Sequence, residues 1–98
     1  MNMINSVIVE GVMTAGFTTD GRFTIENTRL EGGETKKTVF LCKLSNEIYE
    51  STRESIHIGY IIRIVGHLGK LDSGDNCLFV EMVEKIGARM NGYVFTNN

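Results

Sequence analysis

A single stretch of helical period, set inside a chain that is otherwise patterned as strands, constrains the fold most. Residues 46–56 read Asn-Glu-Ile-Tyr-Glu-Ser-Thr-Arg-Glu-Ser-Ile, which puts Ile48, Tyr49, Thr52 and Ile56 on one helical face. Glu50 precedes Arg53 and Glu54 by one turn, the spacing at which side chains meet on a helix surface. Asn46 is the predicted N-cap and Gly59 the predicted stop. Nowhere else does this period recur, so neither a second long helix nor a parallel sheet is expected.

Three strands are predicted before this helix. Residues 6–13 are rich in β-branched side chains and run into Thr14-Ala15-Gly16, with Val7, Val9, Gly11 and Met13 on one face and Ile8, Glu10 and Val12 on the other. Asp20-Gly21 marks a turn, after which residues 23–28 alternate and point Phe23 and Ile25 inward. Leu30-Glu31-Gly32-Gly33-Glu34 is a hairpin loop, and residues 38–44 form the returning strand. Two strands follow the helix. Residues 60–68 are strongly apolar around Gly66, and an interior strand glycine marks a bulge or the corner of a curved sheet. A turn at residues 71–76 leads to the strand 77–83, and residues 90–95 are either a sixth strand or a docked tail. Three strands, one helix and two strands is the order of the OB-fold, an all-β, five-stranded Greek-key barrel. The 98 residues are expected to form one such domain, with residues 87–98 as extra strand or tail.

Composition excludes several alternatives. At 42% hydrophobic and 22% charged, the chain is too apolar for disorder. No apolar run approaches the roughly 18 residues that span a bilayer, so no membrane partner is expected. No basic residue precedes Arg22 and no small-residue cleavage site follows an apolar stretch, so the cytoplasm is the expected compartment. Cys42 and Cys77 are too few for a disulfide scaffold, and neither they nor His57 and His67 sit at metal-ligand spacing. No metal or cofactor is expected. Glu26, Glu81 and Glu84 are not placed as a catalytic pair by any motif, and no nucleophile signature or phosphate loop exists, so the expectation is a non-enzyme.

From Ile4 to about Ile86 the sequence resembles the DNA-binding domain of the bacterial single-stranded DNA-binding protein family. The likeness is carried by Ile4-Asn5-Ser6-Val7-Ile8-Val9-Glu10-Gly11, by Phe23-Thr24-Ile25-Glu26-Asn27-Thr28-Arg29, and by Gly59-Tyr60-Ile61-Ile62-Arg63-Ile64-Val65-Gly66-His67-Leu68. It implies an OB-fold, largely sequence-independent single-stranded DNA binding in replication, repair or recombination, self-association as a dimer or tetramer, and other replication proteins as partners. The sequence departs from the family in having no Trp, in placing Val39 at the third-strand stacking position, and in having Ile58 where a basic residue usually precedes the fourth-strand glycine. Its fourth-to-fifth hairpin is short, and it has no Gly/Pro-rich linker or acidic tip.

Charge is distributed unevenly. The net charge is −2, yet residues 36–70 hold six basic and three acidic side chains. Alternation sends Ile62, Ile64, Gly66 and Leu68 inward, and Ile61, Arg63, Val65 and His67 outward. On the third strand Phe40, Cys42 and Leu44 point in and Val39, Leu41 and Lys43 point out, which predicts that Lys43 and Arg63 share an outer face. With Arg29, Lys36 and Lys37 on the hairpin and Lys70 on the next loop they form a candidate phosphate track, to which Tyr60 and His67 add rings; any one of the cations alone reads more readily as a solvated charge. The face of Phe79 is undecided. Ile8, Val12, Ile61 and Val65 make an outward apolar set, a predicted homo-oligomer interface. Two functions follow: a single-stranded DNA-binding module, or an OB-fold interaction module of primosome type with little or no DNA binding.

Overall fold

The computed structural model describes residues 5–90 and 93–96, so Ile4 of the opening motif and Asn91 and Gly92 of the terminal segment lie outside the described residues. The elements are β1 (Val7–Ala15), β2 (Arg22–Glu31), β3 (Glu34–Leu44), α1 (Asn46–Thr52), β4 (Tyr60–Lys70), β5 (Asn76–Met90) and β6 (Tyr93–Thr96). Antiparallel pairing follows the order β3-β2-β1-β4-β5-β6, and a parallel pairing of Cys42, Lys43 and Leu44 with Leu78, Phe79 and Val80 closes the first five strands into a barrel. This is the predicted OB-fold, with one short helix between β3 and β4.

Closure depends on a strand that serves two neighbours. Residues 7–12 of β1 pair with β4, and its end pairs with β2 from Val12 onward. At the crossover, a Cβ on Gly11 would sit 2.7 Å from the Glu26 carbonyl oxygen. The second corner is Gly66, where β4 and β5 shift register; a Cβ there would lie 2.2 Å from the Phe79 carbonyl oxygen. The bulge predicted from an interior glycine is therefore a close backbone approach. Met13, Phe23, Ile25, Cys42, Ile62 and Ile64 are almost fully buried inside the barrel, the alternation expected from sequence.

Several boundaries differ from the sequence reading. The N-cap is Ser45, not Asn46: its hydroxyl accepts from the Ile48 amide at 3.3 Å. The helix ends at Thr52 rather than running on toward Gly59, because the Thr52 hydroxyl bonds back to the Ile48 carbonyl and residues 53–55 form turns; Ile56 reaches the core from beyond the helix. The β2–β3 loop shrinks to Gly32-Gly33, with φ of +61° and +82°, the positive pair that a tight two-residue turn requires. β5 runs to Met90 instead of Val83, since β4 pairs with it as far as Ala88 and the terminal segment then adds β6 along residues 87–90. Leu68 is 53% exposed rather than inward: past the Gly66 bulge it lies at the open rim of the barrel, beside Val39, Phe40 and Leu41. Lys70 closes β4 rather than belonging to the loop. Among the described residues no helix is long and apolar enough to cross a membrane.

Candidate nucleic-acid interface

Four strands contribute neighbouring residues to one outward row. Arg22 on β2 is the cross-strand partner of Lys43 on β3, Lys43 pairs with Phe79 on β5, and Phe79 pairs with His67 on β4. The Phe79 and His67 rings stack with centroids 5.5 Å apart and planes 17° from parallel. His67 Nδ1 lies 2.9 Å from Glu81 Oε1, which holds the imidazole in place. Beside the rings lies a groove of about 360 Å³ lined by Arg22, Lys43, Lys70, Asp20, Asp72 and Ser73 among others. Along the β3–β5 seam, Val39, Leu41 and Leu68 help to line a smaller apolar hollow of about 130 Å³. Flat faces next to cations are what a single strand requires, bases stacking on the rings while phosphates meet the charges.

The cations are not all equally available. Asp20 Oδ2 lies 3.0 Å from Arg22 Nε and 3.9 Å from Lys43 Nζ. A hydrogen bond from the Thr18 hydroxyl, a second from Arg22 and the two positive charges hold the Asp20 carboxyl below the usual carboxylate range. Lys70 Nζ reaches the Gly74 carbonyl at 3.5 Å.

The predicted track is spread over the molecule. Arg29 binds Glu31 at 3.1 Å, Lys36 binds Glu34 at 3.0 Å and Lys37 faces Glu26 at 3.8 Å, all on the β2–β3 arm. Arg63 does not share a row with Lys43: it stands four residues along β4 from His67, held by Glu10 at 2.8 Å and Glu84 at 3.3 Å. The register shift at Gly66 separates the two rows. Tyr60 is at the opposite end of β4 from Lys70, with its ring under Lys85 Nζ at 4.0 Å and against His57. Lys43, His67 and Lys70 are thus brought together, whereas Arg29, Lys36, Lys37, Tyr60 and Arg63 lie elsewhere.

Arg22 and Phe79 complete the row; the sequence reading gives Arg22 no role and leaves the face of Phe79 undecided. Cys77-Leu78-Phe79-Val80 is continuously apolar and gives no alternation to place Phe79, while Arg22 opens its strand next to a turn. Of the outward apolar set, Ile8 is 68% exposed and Val12, Ile61 and Val65 are half-buried. Ile8, Val65 and the exposed Met82 form one cross-strand row, adjacent to the Glu10–Arg63–Glu84 row.

Cys42 and Cys77 are buried and unbridged; burial pushes the Cys42 thiol up to about 12 and raises Cys77 as well, which leaves both as unreactive core fillers. Among the described residues no three His, Cys, Asp or Glu side chains are grouped to hold a metal ion.

No family model and no curated protein sequence matches this chain. Solved structures do match its fold. The mitochondrial single-stranded DNA-binding protein of S. cerevisiae superposes with a TM-score of 0.70 at 14% identity, covering 87% of this chain and 97% of that one. The small single-stranded DNA-binding protein from Streptomyces coelicolor gives 0.67 at 12% identity, covering 86% and 95%. PriB from Ralstonia solanacearum gives 0.66 at 10% identity, covering 85% and 98%. At such identities the likeness is one of fold.

Proposed function

We propose that this chain is a non-catalytic single-stranded DNA-binding protein of replication, repair or recombination, and that it holds the strand across Arg22, Lys43, Phe79 and His67 largely without reading sequence. The observation that carries this reading is the Phe79–His67 stack at the edge of a groove lined by three cations. The names of the structures sharing its fold support single-stranded DNA as the ligand. The protein self-associates through the Ile8–Val65–Met82 row, because Ile8 and Met82 are more than half exposed and flank Val65 in one cross-strand row.

A second reading, an assembly module with little DNA binding, is favoured by the carboxylates that face Arg29, Lys36, Lys37 and Arg63. Oligothymidine binding measured across a salt series separates the two. Phe79→Ala is expected to cost about 1–3 kcal/mol of affinity, the value of one stacked base. No binding by the unmodified protein at low salt, where attraction is least screened, selects the assembly module.

A further inference from the structure

Arg22 and Lys43 are directly opposed across two strands, an arrangement of like charges that is unfavourable unless an anion lies between them. In this structure the anion is Asp20. Its carboxylate receives the Thr18 hydroxyl and the Arg22 guanidinium and lies 3.9 Å from the Lys43 ammonium. A hydroxyl, a guanidinium and an ammonium converging from a turn and two strands are a donor set suited to a phosphate oxygen cluster.

The backbone carrying these donors is fixed while the carboxylate is not. The turn is closed by Thr18 N to Arg22 O at 2.8 Å and Gly21 N to Thr18 O at 3.0 Å, and is tied to the end of β3 by Leu44 N to Gly21 O at 2.9 Å. The Thr18 hydroxyl also accepts the Arg22 amide at 2.9 Å. The Asp20 side chain, by contrast, is 46% exposed and can rotate into solvent without disturbing any of these bonds.

We propose that Thr18, Arg22 and Lys43 form a phosphodiester subsite, and that Asp20 occupies it in the free protein as an internal competitor which the strand must turn out. The identity of the ligand rests on the nucleic-acid reading above; the geometry of the subsite does not. Binding is therefore weaker, and its salt dependence shallower, than an unopposed Arg22 and Lys43 would give.

The test compares the unmodified protein with Asp20→Asn, which keeps a turn-forming side chain, using oligothymidine and inorganic phosphate as separate probes. Asp20→Asn is expected to bind oligothymidine about fivefold more tightly at low salt, the scale of one exposed ion pair. Its log affinity against log salt is expected to steepen by about 0.7, one further phosphate contact. Adding Arg22→Gln to Asp20→Asn is expected to remove both gains. In the unmodified protein, the groups facing the Asp20 carboxyl are Thr18, Arg22 and Lys43, with Lys70 and Asp72 lining the same groove. Its carbon-13 titration is expected to move upward when oligothymidine saturates the protein, a readout that survives should the variant not fold. Unchanged affinity, unchanged slope and an unmoved Asp20 titration overturn the proposal. If neither protein binds oligothymidine but phosphate shifts Arg22 and Lys43 resonances in Asp20→Asn alone, the anion subsite stands and the nucleic-acid reading falls. If neither probe binds either protein, both fall.

Discussion

The ring of Phe79 rests against Gly69, and a Cβ on that glycine would meet ring atom Cε2 at 2.8 Å and Cδ2 at 3.1 Å. The missing side chain at 69 is thus the space in which the aromatic ring of the proposed interface lies. Gly69→Ala is expected to displace the ring, since the obstructing atoms are the far end of a side chain and not backbone. Oligothymidine affinity should fall severalfold, within the range of about 1–3 kcal/mol for one stacked base. A melting temperature close to that of the parent, together with the weaker binding, confirms it; unchanged affinity rejects it.

Gly66 behaves differently, because the atom that a methyl group would meet, at 2.2 Å, is the Phe79 backbone oxygen. Gly66→Ala is expected to cost more than about 3 kcal/mol, among the larger effects of single substitutions, since the β4–β5 corner itself must open. Urea denaturation of the two glycine variants side by side checks the contrast. Equal stability of both would remove the argument.

The salt dependence of binding counts the phosphates that are met. Contacts from Arg22, Lys43 and Lys70 imply a slope of log affinity against log salt of about −2 with Asp20 removed, and of about −1.4 in the unmodified protein, where Asp20 offsets one contact, at about −0.7 for each phosphate on a single strand. Lys43→Ala is expected to reduce the slope by about 0.7 and to weaken all sequences alike, because phosphates carry no base information. Arg63→Ala is expected to leave the slope unchanged, since Arg63 is engaged by Glu10 and Glu84 in another row.

Self-association is expected to fail when charge enters the apolar row. Val65→Glu places a carboxylate between Ile8 and Met82, and light scattering should then report the 10.9 kDa protomer where the parent reports a multiple of it. A parent that scatters as a single protomer at micromolar concentration contradicts the proposed interface.

Alkaline pH is expected to destabilise the fold through Cys42. The thiol ionises near 9 when unfolded and at about 12 when buried in the barrel. Below about 9 it is neutral in both states and stability is unaffected; as pH rises toward 12 the unfolded chain loses the proton first and stability declines. Cys42→Ala should lessen this decline. Denaturant melts at pH 8 and pH 10 measure it, and an identical loss in both proteins would assign the decline to other groups.

The order of elements was legible in the sequence because it depends on local periodicity. The period changes from two to 3.6 only at residues 46–56, and Phe23, Ile25, Ile62 and Ile64 face the core as their alternation predicts. The Gly66 corner was legible for a similar reason, since a glycine inside an apolar strand has few other uses. Tertiary structure decided which cations stand together. Lys43, Phe79 and His67 belong to three strands whose pairing is set by barrel closure and by one shift in register, and no spacing along the chain encodes that row. Alternation assigned Lys43 and Arg63 to the outside correctly, but a barrel has an outside all the way round. Strand register determined that Arg63 meets Glu10 and Glu84 while Lys43 meets Asp20 and Phe79, because which side chains lie within reach depends on pairing between distant segments and not on the period within any one of them.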